Sequence, residues 1–176
     1  AAEPNMVLFI DEIHTMLGAG SQKGGLDAAN ILKPALASGK IRCIGATTTQ
    51  EYRQYIEEDT ALSRRFQPVW IDPTSRVETI EILKGLRPQL EAHHHLTIPE
   101  GLIGKLVDLV NRYIQEGFLP DKAIMTLDEA CSRRMLQTFS APANDQMNSE
   151  LTIKEIGETI ARRTQIPVEV ILASDE

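Results

Sequence analysis

Val7-Leu8-Phe9-Ile10-Asp11-Glu12 is the stretch whose reading decides the fold. Four consecutive apolar residues, aromatic and β-branched among them, run straight into two carboxylates. A short unbroken apolar run suits a strand buried on both faces, as in a parallel sheet. Strand side chains alternate, so Asp11 and Glu12 at its C-terminal end point in different directions. One carboxylate can hold a magnesium ion while its neighbour orients or deprotonates a water. In open α/β sheets, ligands bind outside the carboxyl ends of the strands, where this pair falls.

Two readings of the pair stand side by side. It is the Walker B segment of a P-loop ATPase, or a strand that ends in carboxylates for solubility. Composition narrows the class without choosing between them. The chain has 176 residues, 42% hydrophobic and 24% charged, which fits a globular protein of one large or two small domains and argues against disorder. A net charge of -7 disfavours non-specific binding to nucleic acid or anionic membranes. The apolar runs are too short to span a bilayer, and no stretch has the layout of a signal peptide. Cys43 and Cys131 lack CxxC spacing and read as reduced, buried thiols in a cytoplasmic protein, with a disulfide left open.

After Glu12, apolar residues continue to Leu17, and then Gly18-Ala19-Gly20-Ser21-Gln22-Lys23-Gly24-Gly25 breaks the pattern as a flexible loop. It does not match GxxxxGK[ST], so a phosphate cradle is not expected there. A helix is expected from Asp27, bent or broken at Pro34 and capped by Gly39. Ile41 to Thr48 reads as a second strand ending in hydroxyls, which orient a water or phosphate, or cap a helix; Thr48 with Glu51 fits a capping box. A helix with Tyr52, Tyr55 and Ile56 follows, and Val69-Trp70-Ile71 reads as a third short strand.

From Thr74 the pattern is helical. Ser75 and Glu78 box a helix that Pro88 is expected to interrupt or kink. His93-His94-His95 looks like a metal tract, but three consecutive helical residues cannot face one ion. Leu102, Ile103, Leu106, Val107, Val110 and Ile114 form an amphipathic stripe, and another helix runs from about Asp121 through Met135. Ser140 to Ser149 reads as a connection, Glu150 to Ile153 as a short strand, and Thr152 with Glu155 boxes a last helix ended at Ile166-Pro167.

Taken together, VLFIDEIHTMLGAG, LDAANILKPALASGKIRCIGATT, QEYRQYIEEDTALSRRFQPV, EAHHHLTI, YIQEGFLPDKAI and LDEA resemble, in order, the first ATPase module of the Clp family of AAA+ protein-unfolding ATPases, closest to the ClpA type. TQIPVEVI stands where such modules have TGIP before a second module. The resemblance implies an α/β plus all-α architecture. Residues 1–73 would be the C-terminal part of a P-loop AAA+ α/β sheet, 74–166 a small helical lid subdomain, and 167–176 a linker toward a second module.

The resemblance further implies that Asp11 binds magnesium and Glu12 polarises the attacking water. Thr48 would be the sensor of the γ-phosphate, and Arg64 and Arg65 arginine fingers reaching a neighbouring subunit's nucleotide. Gly18 to Gly25 would be a pore loop gripping a threaded polypeptide. Leu119-Pro120-Asp121-Lys122 would sit near the adenine, with Pro120, Asp121 and Lys122 as nucleotide-binding residues. ATP and magnesium are the implied cofactors. The implied partners are other copies in a hexameric ring, unfolded protein substrates, a ClpP-like peptidase and adaptors.

The chain departs from the family pattern in places. It holds no GxxxxGK[ST], Gln165 replaces a glycine, and Met125-Thr126 replaces Asp-Leu. The link from Arg134 to Leu151 is too short for the coiled-coil middle domain of disaggregases, which is why the ClpA type is expected. The chain is therefore expected to be a fragment, inactive alone, with unpaired edges at 41–46 and 69–71 that promote self-association. The other reading is a truncated, non-catalytic Clp paralogue acting as an interaction module.

Overall fold

The computed structural model describes residues 6–18, 34–36, 38, 41–140 and 150–173. It divides into two units, Ala1–Trp70 and Ile71–Glu176.

In the first unit, β1 (Val7–Ile10) pairs in parallel with β2 (Arg42–Gly45), in the register Val7↔Arg42 to Ile10↔Gly45. Two further backbone bonds prolong the pairing past the strands. Ala46 N–H donates to the Ile10 carbonyl at 2.9 Å, and Ile13 N–H to the Ala46 carbonyl at 3.0 Å. Helix α1 (Ile13–Gly18) starts there and buries Ile13 and Leu17. Gly45 is required at this crossing: a Cβ on it would lie 2.8 Å from Ile13 Cδ1. Helix α2 (Thr49–Glu51) opens on the expected Thr48/Glu51 capping box and passes into a π-helical turn over Tyr52–Glu57 that buries Ile56. Asp59 caps α3 (Thr60–Ser63) by accepting from Ala61 and Leu62 N–H. Ile10, Ile13, Leu17, Leu36, Ile56 and Leu62 make the core of this unit.

Two expectations fail here. β1 is not buried on both faces, since Val7, Leu8 and Phe9 are 53%, 40% and 63% exposed. Among the described residues the sheet has only two strands, and Val7 and Phe9, on one face of β1, stay exposed. Val69-Trp70-Ile71 forms no strand, and Val69 and Ile71 are more than four-fifths exposed, at 83% and 91%. A strand needs a neighbour for its backbone hydrogen bonds, and among the described residues this segment has none. The helix expected from Asp27 lies mostly outside the described residues; within them, 34–36 are helical and Leu36 is buried.

The second unit is helical. Helix α4 (Arg76–His94) opens on the Ser75/Glu78 box and ends at His95, whose φ of 53° is left-handed. It runs through Pro88 without ending, a correction to the expected break. Helix α5 (Glu100–Tyr113) buries the expected stripe, with Leu106, Val107 and Val110 fully enclosed. Helices α6 (Asp121–Ser140) and α7 (Ile153–Thr164) complete the core around Leu83, Ile98, Leu127, Leu151, Ile156 and Ile160. The strand expected at 150–153 is reduced to a single bridge, Thr97 with Glu150. Within the stretch expected to be a linker, α8 (Val168–Leu172) instead inserts Ile171 into the core. Arg76 holds Asp108 through two short hydrogen bonds, at 2.6 and 2.7 Å, across α4 and α5.

Candidate functional site

Parallel pairing brings the ends of β1 and β2 out on the same side. Asp11 and Glu12 leave β1 there, and Thr47 and Thr48 leave β2 beside them. Both carboxylates are exposed. Glu12 has a φ of 48°, a left-handed conformation that costs a non-glycine residue about 1 kcal/mol. Its N–H donates to Asp11 Oδ1 at 3.0 Å, which helps hold the turn. Backbone strain of this kind concentrates where a side chain must be aimed.

His14, in the first turn of α1, lies against both strand ends. Its Nδ1 is 2.9 Å from Thr47 Oγ1 and 3.3 Å from Glu12 Oε2, and its Nε2 is 3.0 Å from Glu51 Oε1. The ring stacks on Tyr55, centroids 6.1 Å apart. Glu51 is held in turn by the Thr48 hydroxyl, which donates to Oε2 at 2.6 Å. The Thr48 hydroxyl, followed by the charge of His14, draws the Glu51 carboxyl below its ordinary value. So Glu12, His14, Thr47, Thr48 and Glu51 form one polar cluster at the end of the sheet.

Of the residues read from the sequence, Glu12 and Thr48 meet in this cluster and Asp11 lies beside it; the sequence reading does not single out His14 or Thr47. Thr48 Oγ1 is engaged inside the capping box, whereas Thr47 Oγ1 is the hydroxyl turned toward His14. Arg64 and Arg65 follow α3 and are both exposed, with no ion pair among the described residues. Gly18 closes α1, and residues 19–25 of the expected pore loop lie outside the described residues. Pro120, Asp121 and Lys122 lie on the second unit at the start of α6. There the Pro120 carbonyl accepts from Ala123 and Ile124 N–H, and the Lys122 ammonium donates to the Ile114 carbonyl at 3.0 Å.

Magnesium is a hard cation, usually held through one or two carboxylates plus phosphate oxygens. The exposed carboxylate of Asp11, beside that of Glu12, fits this donor chemistry. Glu12, His14 and Glu51 also present ligand-type atoms within 4.8 Å of one another. The imidazole there is already engaged with Glu51 at ion-pair distance and with Thr47 by a hydrogen bond, so this trio reads as a polar cluster of the protein's own side chains. His94 of the triple-histidine tract is buried and meets Asp128 Oδ1 at 2.8 Å, a structural contact between α4 and α6. Cys43 and Cys131 are both free thiols, and burial, aided by Asp128, pushes that of Cys131 up to about 12. No helix among the described residues is long and apolar enough to cross a membrane.

The AAA lid domain family matches residues 75–168, more than half of the chain and nearly all of the helical unit. The chain is similar to ClpC/MecB of Bacillus subtilis, described as a negative regulator of genetic competence, at 55% identity over 140 residues. It is 56% identical over 140 residues to the ATP-dependent Clp protease ATP-binding subunit ClpC of Staphylococcus aureus. Each match covers 80% of this chain and 17% of the relative, so the chain spans about one-sixth of their length. Among solved structures, Hsp104 with ATPyS and FITC casein in a closed state superposes with a TM-score of 0.79 at 39% identity, covering 99% of this chain and 29% of that one. The S. cerevisiae Hsp104-ADP complex gives 0.78 at 40% identity, covering 94% and 27%. The chain thus belongs to the Clp family of AAA+ proteins and carries that family's lid domain.

Proposed function

We propose that this chain is part of an ATP-driven protein unfoldase, in which hydrolysis between subunits of a hexameric ring threads protein substrates. One observation carries the reading: two adjacent carboxylates and two hydroxyls converge at the carboxyl end of a parallel strand pair, with Glu12 held in a strained turn beside Thr47. In this reading Asp11 holds magnesium, which supplies charge neutralisation for the phosphates when bound. Glu12 orients and deprotonates the attacking water, and the Thr47–Thr48 segment reports the γ-phosphate. Arg64 and Arg65 act as arginine fingers, supported by their exposure and the absence of an ion pair among the described residues. Residues 18–25 act as the pore loop, and Pro120, Asp121 and Lys122 line the adenine side. For the domains, 1–73 is the large-subdomain part, 74–166 the lid, and the tail leads to a second module.

Nucleotide use and grip on unfolded protein are supported by the Hsp104 structures, which contain ATPyS or ADP, and casein. A peptidase partner of ClpP type, adaptors and a cytoplasmic site of action follow from the same reading. The finer ClpA-type assignment rests on the short link between Arg134 and Leu151, whereas the relatives named above are ClpC proteins. A non-catalytic paralogue has no observation in its favour, because the strand-end cluster is kept intact. Glu12→Gln in the full-length protein tests the reading. It should still bind a fluorescent ATP analogue but lose steady-state hydrolysis; undiminished hydrolysis would remove Glu12 from its role.

A further inference from the structure

We infer that His14 is a positioning residue for Glu12, tying the Glu12 carboxylate to both hydroxyls at the end of β2. The inference rests on the proposed role of Glu12. Glu12 is an exposed member of the cluster, with 59% of its side chain accessible, while the His14 side chain is 13% accessible. An exposed glutamate samples several rotamers, and a fixed partner narrows them toward one productive direction. His14 is fixed from four sides. Thr47 Oγ1 meets Nδ1 at 2.9 Å, and Glu51 Oε1 meets Nε2 at 3.0 Å. Tyr55 stacks on the ring face, and the backbone anchor from Ile13 to Ala46 sets where α1 begins. Nδ1 then lies 3.3 Å from Glu12 Oε2, within ion-pair distance of the carboxylate. Glu51 extends the link, since its second oxygen accepts from the Thr48 hydroxyl and N–H. A movement of Thr47 or Thr48 is therefore passed through one imidazole to Glu12.

The test uses the full-length protein and measures steady-state ATPase, affinity for a fluorescent ATP analogue, and melting temperature. His14→Ala should lower kcat about 10-fold, in the range typical of outer-shell partners, with nucleotide affinity unchanged and the melting temperature only modestly lowered. His14→Asn, whose amide can place a donor near the Nδ1 position, should recover most of the loss. Unchanged kcat in His14→Ala, with Glu12→Gln inactive, overturns the positioning role and leaves that of Glu12 standing. Full activity in Glu12→Gln would instead sink the underlying reading. A loss of kcat matched by equal losses of affinity and melting temperature, and not rescued by Asn, marks a merely structural side chain and also overturns the inference. Glu51→Gln covers the case in which His14→Ala does not fold. It should reduce kcat severalfold at unchanged nucleotide affinity, and full kcat there overturns the link.

Discussion

Gly45 shows how one missing atom positions a site. Its absent Cβ lets Ile13 close on the end of β2, which places His14 beside Thr47. Gly45→Ala would put a methyl group 2.8 Å from Ile13 Cδ1 and 3.1 Å from Cγ2, around a side chain only 1% exposed. Overpacking of this kind costs about 1–3 kcal/mol, so the first unit should unfold at lower denaturant; an unchanged midpoint would count against this. Three carboxyls sit below their ordinary values: Glu51 held by Thr48, Glu78 by Ser75 and Asp108 by Arg76. Groups depressed in the folded state bind protons more readily when unfolded. Their stabilisation is present above the ordinary values of 4.5 and 3.8 and is lost as pH falls through the folded values. The denaturation midpoint should therefore drop as pH falls below about 5, modestly and less so at high salt, because the groups are near the surface. A midpoint that rises on acidification would contradict this. Asp11 and Glu12 were legible in the sequence because their position in the strand defines them. His14 was not, because its partner Thr47 lies 33 residues away and no local pattern records that approach.

At the level of elements, local rules were readable and tertiary ones were not. The boxes at Thr48/Glu51, Ser75/Glu78 and Thr152/Glu155 follow from residues three apart, and each opens a helix as expected. Helix α4 continues through Pro88 rather than being interrupted there, because its 19 residues keep enough intrahelical bonds and buried contacts, such as that of Leu83, to carry a proline. The helix α8 was missed because five residues carry little periodic signal; it is held by the burial of Ile171. Two glycines on these helices give the same substitution opposite signs. A Cβ on Gly85, on the exposed side of α4, meets nothing within 4 Å, so Gly85→Ala should stabilise by about 0.5–1 kcal/mol. A Cβ on Gly157 would lie 2.9 Å from Leu172 Cδ2 and 3.2 Å from Val168 Cγ2, so Gly157→Ala should lower the melting temperature and loosen α8. Thermal melts of the two variants moving in the same direction would refute this account.

For the whole chain, the two units differ in how much apolar surface they bury. Among the described residues, the first has the six-residue core from Ile10 to Leu62, and the second a much larger one from Leu83 to Ile171. Buried apolar area is the main source of stability, so the first unit should open first. Native-state hydrogen exchange should show the amides of Ile13 and Ala46 exchanging at lower free energy than those of Val107 and Ile160; equal protection would argue for one cooperative unit. The exposed Val7, Leu8, Phe9 and Ile44 also favour self-association, and a sedimentation profile that stays monomeric at high concentration would argue against that. The division into sheet and helical parts was legible from the change in periodicity at Thr74. The exposure of β1 was not, since it depends on what packs against the sheet. The register of β1 on β2 also acts as a ruler for the chemistry. Each step along a strand is about 3.3 Å, longer than the 2.9 Å contact between Thr47 and His14. A single residue inserted between Arg42 and Thr47 would thus put Ala46 beside His14 and carry the hydroxyl out of reach, even if the sheet re-formed around it.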